Sequence, residues 1–337
     1  MSNLNDLTVL CLPTGSRLAA DETLGRLSLS LEGQPLLTLR LNRGPELHVQ
    51  LLEHFSHPEG QAIWAACYWL FARDPDCQRL VWQLQDVPHE AVLSGLLIPT
   101  SVNGQYCCER TLFWQLPQPW LVHSLTGSYP QQMVITGGKR HPLRAVKPRG
   151  EVYRRFDARL GAWVSLRTLE IEQDLARFNR WQNSPRVASF WQEEGSLEQH
   201  RQYLSKLEAD PHTLTLIGCF DDQPFAYFEA YWAKEDRIAP FYDAGDYDRG
   251  IHMLVGEENH RGPHKVASWL SALVHYLFLD DPRTQRVVAE PRADNAKMIG
   301  YMHNQCFHCE KEFDFPHKRA ALMVVGRERF FDRCALA

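Results

Sequence analysis

The sequence has no run of about 18 uninterrupted apolar residues, the length a membrane-spanning helix needs, so no bilayer span is expected. It has no excess of basic charge either. Lys and Arg number 36 against 41 Asp and Glu, a formal net charge of −5, whereas a phosphate-backbone binder ordinarily carries a basic face. Nucleic acid is therefore not an expected partner. The opening stretch MSNLNDLTVLCLPTGSRLAADETL lacks a basic segment followed by an apolar one, so no secretory signal is expected and the chain reads as cytoplasmic. Low-complexity tracts and short repeats are missing as well. What is left is a folded globular protein, 44% hydrophobic and 23% charged, whose 337 residues allow two domains of ordinary size.

Cysteine is present but forms no framework. The nine cysteines are odd in number and scattered, which in a reducing compartment reads as free thiols. One cluster has zinc-like spacing: His303, Cys306, His308 and Cys309 in MHNQCFHCEK. The only other pair on offer, Cys107 and Cys108, is adjacent and lacks that spacing, so no metal is expected.

The chain divides within GGKRHPLRAVKPRGEVYRRF (137–156), whose Lys, Arg, Pro and Gly content is that of a linker. Two domains are expected, 1–145 and 146–337. In the first, QAIWAACYWLFA (61–72) has helical spacing, while LSLSLEGQPLLTLRLN (27–42) and QYCCERTLFWQL (105–116) alternate like strands, giving a small α+β domain. In the second, WVSLRTL suggests a strand, and two helices follow at 174–183 and 196–209. The second of these is opened by a capping box of Ser196 and Gln199. TLTLIGCF and PFAYFEAYWA form a hairpin across residues 221–224. GIHMLVG is the next strand, 264–279 a helix, 286–290 a strand, 294–304 a helix, and KEFDF with RAALMVV a final hairpin.

That order, with the donor-rich loop GEENHRGPHK (256–265) between a strand and a helix, resembles the GCN5-related N-acetyltransferase fold, an α+β fold with a mixed, mostly antiparallel sheet flanked by helices. In such a fold the free N–H groups and positive dipole end of the helix receive the pyrophosphate of coenzyme A. Gly256, Arg261, Gly262, His264 and Lys265 are the expected contacts. Gly262 would let the backbone come close, and Pro263 suits a first helical turn. Asn259 and His264 depart from the usual Q/R-x-x-G-x-G/A pattern.

A longer likeness covers about 148–331: RGEVYRRFD, RWQNSPRVASFW, LIGCFDDQPFAYFEAYWAKEDRI, YDRGIHMLVGE, RGPH, DDPRTQRVVAEPRADNAKM and KEFDFPHKRAALM. These stretches resemble the hydroxamate-siderophore acyltransferases of aerobactin-, alcaligin- and desferrioxamine-type pathways. RTLFWQLPQPWL (110–121) resembles part of their N-terminal extension. The resemblance implies acyl transfer from acyl-CoA, succinyl-CoA or acetyl-CoA, to an N-hydroxylated amine. It implies His252 as general base, Asp294 as a second catalytic residue orienting it, and Asn295 as a further coenzyme A contact. Structurally bland roles stand beside each: a satisfied core histidine, a helix N-cap at Asp294. Trp191, Glu229, His317, Lys318 and Arg319 are the expected acceptor-side residues. EPRADNAKMIGYM and FPHKRAALMVV look nearer the enzymes acting on N-hydroxycadaverine or N-hydroxyputrescine with succinyl-CoA. The alternatives are an N-hydroxylysine acetyltransferase and a non-catalytic coenzyme A-binding module. The N-terminal domain is expected to be a degenerate module of the same type, serving dimerisation or covering the site. An amine monooxygenase, a siderophore synthetase and a second copy of the chain are the partners this implies.

Overall fold

The computed structural model describes residues 8–55, 59–122, 129–334 and 336; the first seven residues of the N-terminal stretch read above lie outside them. Two compact units result, one built on residues 1–120 with 155–162 and 335–337, the other on 121–154 and 163–334.

The first unit contains β1 (Val9–Cys11), β2 (Arg17–Thr23), β3 (Arg26–Leu31), β4 (Gln34–Arg43), β5 (Leu47–His54), α1 (Glu59–Arg73), β6 (Arg79–Gln83), α2 (His89–Leu93), β7 (Ile98–Pro99), β8 (Gln105–Glu109) and α3 (Arg110–Phe113). Its sheet runs β1-β2-β3-β4-β5-β6-β8-β7, with β5 and β6 parallel. The strand expected over 105–116 stops at Glu109. Arg110 is buried and donates to the Phe71 carbonyl at 2.8 Å, which turns the chain into α3.

The second unit opens with a hairpin, β9 (Met133–Thr136) and β10 (Lys139–Pro142). Its main elements are β11 (Glu151–Asp157) and β12 (Ala162–Thr168), of which residues 155–157 and 162 group with the first unit, then α4 (Ile171–Gln182), α5 (Pro185–Trp191), α6 (Leu197–Ala209), β13 (Thr213–Phe220), β14 (Gln223–Trp232), β15 (Arg249–Val255), α7 (Pro263–Asp280), β16 (Arg286–Ala289), α8 (Ala296–Asn304), β17 (His308–Asp314), β18 (Arg319–Gly326) and α9 (Arg327–Arg333). The sheet order is β11-β12-β13-β14-β15-β16-β18-β17, with β15 and β16 parallel. The two sheets thus repeat one strand order with the parallel pair in the same place. In the first, β2 passes directly to β3, where the second inserts α4–α6.

The Ser196–Gln199 capping box forms as expected. Leu175, Phe178, Trp181, Val187 and Leu204 from α4–α6 pack on Ile217, Tyr227 and Leu254 of the sheet. A second apolar cluster gathers Tyr231, Tyr242, Val288, Phe315 and Leu322.

The boundary differs from the one the composition suggested. Residues 129–147 belong with the second unit, held by the charges that made them look like linker. Arg144 clamps Glu235 through two bonds of 2.6 Å, both side chains being buried, and its guanidinium lies 4.2 Å from the Trp232 ring. Lys147 donates to three carbonyls, those of Leu207, Glu208 and Thr213. Removing one partner of a buried pair leaves the other charge uncompensated. Arg144→Ala should therefore cost about 3 kcal/mol or more in denaturant unfolding; a cost near zero would mean that the segment is a free linker.

Candidate active site

Alternation along β14 puts Tyr227, Glu229 and Tyr231 on one face, and the antiparallel register sets Glu229 directly opposite His252 of β15. Gly250, opposite Tyr231, is a glycine for a steric reason: a Cβ there would lie 1.9 Å from the Tyr231 ring. That close approach lets Tyr231 cross the strand and donate to Glu290, 2.7 Å away. Glu290 follows β16 immediately, and the parallel pairing of β15 with β16 brings it to His252.

Both ring nitrogens of His252 are engaged by carboxylates, Nδ1 with Glu229 at 2.8 Å and Nε2 with Glu290 at 2.6 Å. The remaining lone pairs are used too. Tyr203 and Tyr227 donate to Oε1 of Glu229 at 2.6 and 2.9 Å, and Lys318 donates to the Glu290 carbonyl at 2.7 Å. A neutral imidazole has one N–H and could satisfy one carboxylate; an imidazolium has two and satisfies both. Burial alone would pull the His252 pKa down, but the Glu290 charge and the hydrogen bonds that the ring donates to both glutamates outweigh it and push it up to about 10. Burial likewise pushes Glu290 up, and the His252 charge holds it at about 2. At neutral pH the resting unit is an imidazolium between two carboxylates. Of the three side chains His252 is the most accessible, 21% exposed against 6% for Glu229 and 0% for Glu290, so it is the member a substrate reaches. Trp191 closes one side, its ring centroid 6.3 Å from that of His252.

The expected coenzyme A loop lies between β15 and α7. Gly262 takes φ +121°, a left-handed conformation that favours glycine, and Pro263 is the first residue of the helix. No side chain among the described residues caps α7, so its first-turn N–H groups are left for a ligand. The guanidinium of Arg261 has no hydrogen-bond or ion-pair partner among the described residues, and its charge lies near enough to Arg186 to lower that residue's pKa, second to burial. Arg186, which the sequence reading did not single out, donates to the carbonyls of Val255 and Gly256 at 2.7 and 3.2 Å. The Arg261 guanidinium and an open helix N-terminus fit a pyrophosphate, with the Arg186 charge within electrostatic range. His264 is exposed in the first helical turn. Gly256 and Lys265 have other tasks. A Cβ on Gly256 would lie 2.1 Å from the Trp181 ring, and Lys265 donates to Asn259 O and contacts His260 Nδ1 within its own loop.

Three further expectations change. Asp294 is not the carboxylate on His252; it is exposed and pairs with Arg292 at 2.6 and 3.0 Å, while Glu229 and Glu290 orient the ring. Asn295, not Asp294, caps α8, accepting from Met298 N at 3.2 Å, so its side chain is occupied. Arg319 is tied to Glu312 and Asp314 along the β17–β18 hairpin. His317 is exposed and stacks on Phe315 at 5.4 Å. No group of three His, Cys, Asp or Glu side chains among the described residues is placed to hold a metal. His303 Nδ1 contacts the Phe307 carbonyl, and the Cys309 thiol is directed to that of Lys311.

Comparison with known proteins agrees with this fold. Residues 170–315 match the acetyltransferase (GNAT) domain family. A provisionally named lysine N-acyltransferase of Schizosaccharomyces pombe is 48% identical over 72% of this chain and 73% of its own. The N(6)-hydroxylysine O-acetyltransferase of Escherichia coli is 44% identical over 67% of this chain and 72% of its own. A hydroxyornithine transacylase of Ajellomyces capsulatus is 41% identical over 82% and 73%. Among solved structures, an uncharacterized protein from Bacillus halodurans matches at a TM-score of 0.53, with 28% identity over 55% of this chain and 95% of that one.

The unpaired charge at Arg261 sets an expectation for the donor side. Arg261→Ala should raise KM for the acyl-CoA roughly tenfold and leave kcat nearly unchanged, because it removes binding shared by ground and transition states. An unaltered KM would rule out a direct phosphate contact.

Proposed function

This chain belongs to the hydroxamate-siderophore acyltransferases of the GCN5-related N-acetyltransferase superfamily, and we propose that it makes its hydroxamate from an N-hydroxylated diamine and succinyl-CoA. The class of reaction is that of the family: N-acylation of an N-hydroxylated amine, with acyl-CoA as cosubstrate. The observation that carries the reading is the Glu229–His252–Glu290 network on the strand that leads into the loop of Arg261 and an open helix N-terminus. A coenzyme A-binding module without turnover would have no need of a buried, fully hydrogen-bonded acid–base unit.

The chemistry exchanges a thioester C–S bond for a C–N bond: the hydroxylamine nitrogen attacks the acyl carbon, loses its proton, and the sulfur leaves as a thiol. A hydroxylamine is far less basic than an alkylamine and is largely free at neutral pH, so no strong base has to create the nucleophile. The imidazolium of His252 suits the other half of the exchange. By turning one N–H from its carboxylate towards the departing sulfur it supplies the thiol proton, and the proton released by nitrogen restores the imidazolium. Glu229 and Glu290 hold the ring through the cycle, and the tyrosines fix the carboxylates. Trp191 supplies an apolar wall for an aliphatic stem.

For the acceptor, the diamine reading is supported by EPRADNAKMIGYM and FPHKRAALMVV, which resemble the hydroxy-diamine enzymes. A second reading, an N-hydroxylated amino acid with acetyl-CoA, is favoured by relatives named for hydroxylysine and hydroxyornithine. The reaction is tested by free-coenzyme A release with each amine and its N-hydroxylated form. The hydroxylated form should be preferred by a large factor in kcat/KM, since the parent amine is almost wholly protonated. Equal use of cadaverine and N-hydroxycadaverine would return the enzyme to general amine acetylation.

The acid role of His252 carries a pH signature. The reactive form is the protonated one, so kcat should hold through the neutral range and fall as pH rises through about 10. Glu290→Gln removes the largest of the influences that raise His252, and the alkaline limb should move down by about 1–3 units. A limb that stays in place would assign it to another group.

A further inference from the structure

Beside His252 and Glu290 stand two cations, Arg237 and Lys318, that donate no hydrogen bond to a carboxylate among the described residues. The ammonium of Lys318 is partly buried, lies 5.6 Å from the Phe315 ring centroid and donates to the Glu290 backbone carbonyl; among the described residues no carboxylate comes within 4.0 Å of it. Arg237, 52% exposed, lies 5.4 Å from the same ring. Its nearest carboxylate oxygen, Glu290 Oε1 at 3.7 Å, is already bonded to His252, and the other oxygen of that group accepts from Tyr231. Burial lowers the Lys318 pKa, and the Arg237 and Arg292 charges lower it further; Glu290 and Asp236 oppose them. Arg292 is neutralised by Asp294. Asp236 and Glu193 lie within electrostatic range of Lys318 and Arg237 respectively, but among the described residues neither comes within 4.0 Å of them.

Resting on the function proposed above, we propose that Arg237 and Lys318 form the binding site for a substrate carboxylate held close to the reacting carbon. The Phe315 ring backs both cations, and His317 stacks on that ring. A carboxylate there would accept from the guanidinium and from the N–H bonds of Lys318 not used by Glu290. An unpaired, half-desolvated ammonium costs free energy in the empty enzyme, which the ligand recovers. Two sources have this chemistry: the free carboxylate of a dicarboxylic acyl group such as succinyl, and the α-carboxylate of an N-hydroxylated amino acid. The site therefore discriminates substrates by a charge remote from the bond being made.

The experiment measures kcat/KM for wild type, Arg237→Gln and Lys318→Gln on the four pairings of acetyl-CoA or succinyl-CoA with N-hydroxycadaverine or N-hydroxylysine. The readout is the ratio between a carboxylate-bearing substrate and its carboxylate-free counterpart, which cancels any general effect of a variant. Each variant should lower that ratio roughly 10- to 100-fold, the worth of a charge-assisted hydrogen bond, and Arg237→Lys should restore part of it. A fall in the succinyl-to-acetyl ratio assigns the site to the donor, and a fall in the hydroxylysine-to-hydroxycadaverine ratio assigns it to the acceptor. Ratios within threefold of wild type for both substrates overturn the proposal. If the wild type turns over none of the four pairings, it is the reading of function that fails. Calorimetry with succinate then decides the site: binding by wild type that is lost in both Gln variants upholds it, and absence of binding overturns it.

Discussion

The ion pairing of His252 with two glutamates is the constraint around which the catalytic unit is arranged. A carboxylate as buried as Glu290 is expensive unless its charge and lone pairs are met, and here an imidazolium, a tyrosine and a nearby cation meet them. The supporting residues follow from that need. Gly250 leaves room for Tyr231, Tyr203 and Tyr227 saturate Glu229, and the apolar clusters formed by Tyr227 with the α4–α6 helices and by Tyr231 with Phe315 provide the surroundings in which these interactions are strong. The network also decides the sense of the chemistry, because a histidine with both N–H groups committed starts the cycle as an acid.

The first unit shows how little of this belongs to the fold. Its sheet has the same strand order and the same parallel pair. Aligned on the β5–β6 and β15–β16 pairs, Gln50 opposite Arg40 occupies the place of His252 opposite Glu229. Its helix α1 opens on Glu59, an acidic residue at the end where α7 presents Pro263, His264 and Lys265. A negative charge at that dipole end disfavours a phosphate. This supports reading the unit as a copy with the same backbone plan, in which neither an imidazole nor a carboxylate stands at the places of His252 and Glu229.

Much of the second sheet was legible in the sequence because its signals are local. Ser196 and Gln199 announced a helix, and the DDQP turn at 221–224 announced a hairpin. What escaped was set by long-range pairing. Glu290 lies 38 positions from His252, and only the parallel β15–β16 contact joins them, whereas the family resemblance implied Asp294 in its place. The stretch from 137 looked like linker because of its Lys, Arg, Pro and Gly content, whereas the structure buries Arg144 against Glu235. Helix α5 is a seven-residue segment opened by Pro185, too short for periodicity to separate it from a loop.

The central claim is that His252 rests as an imidazolium held between Glu229 and Glu290, and a nuclear magnetic resonance titration of that side chain tests it most directly. With histidine ring nitrogens labelled and the signal assigned by its loss in His252→Gln, both nitrogens should show the protonated shift through neutral pH, with a midpoint near 10. A midpoint near the ordinary imidazole value of about 6.5 would contradict the account, because the ring would then be neutral and one of its two carboxylates unpaired.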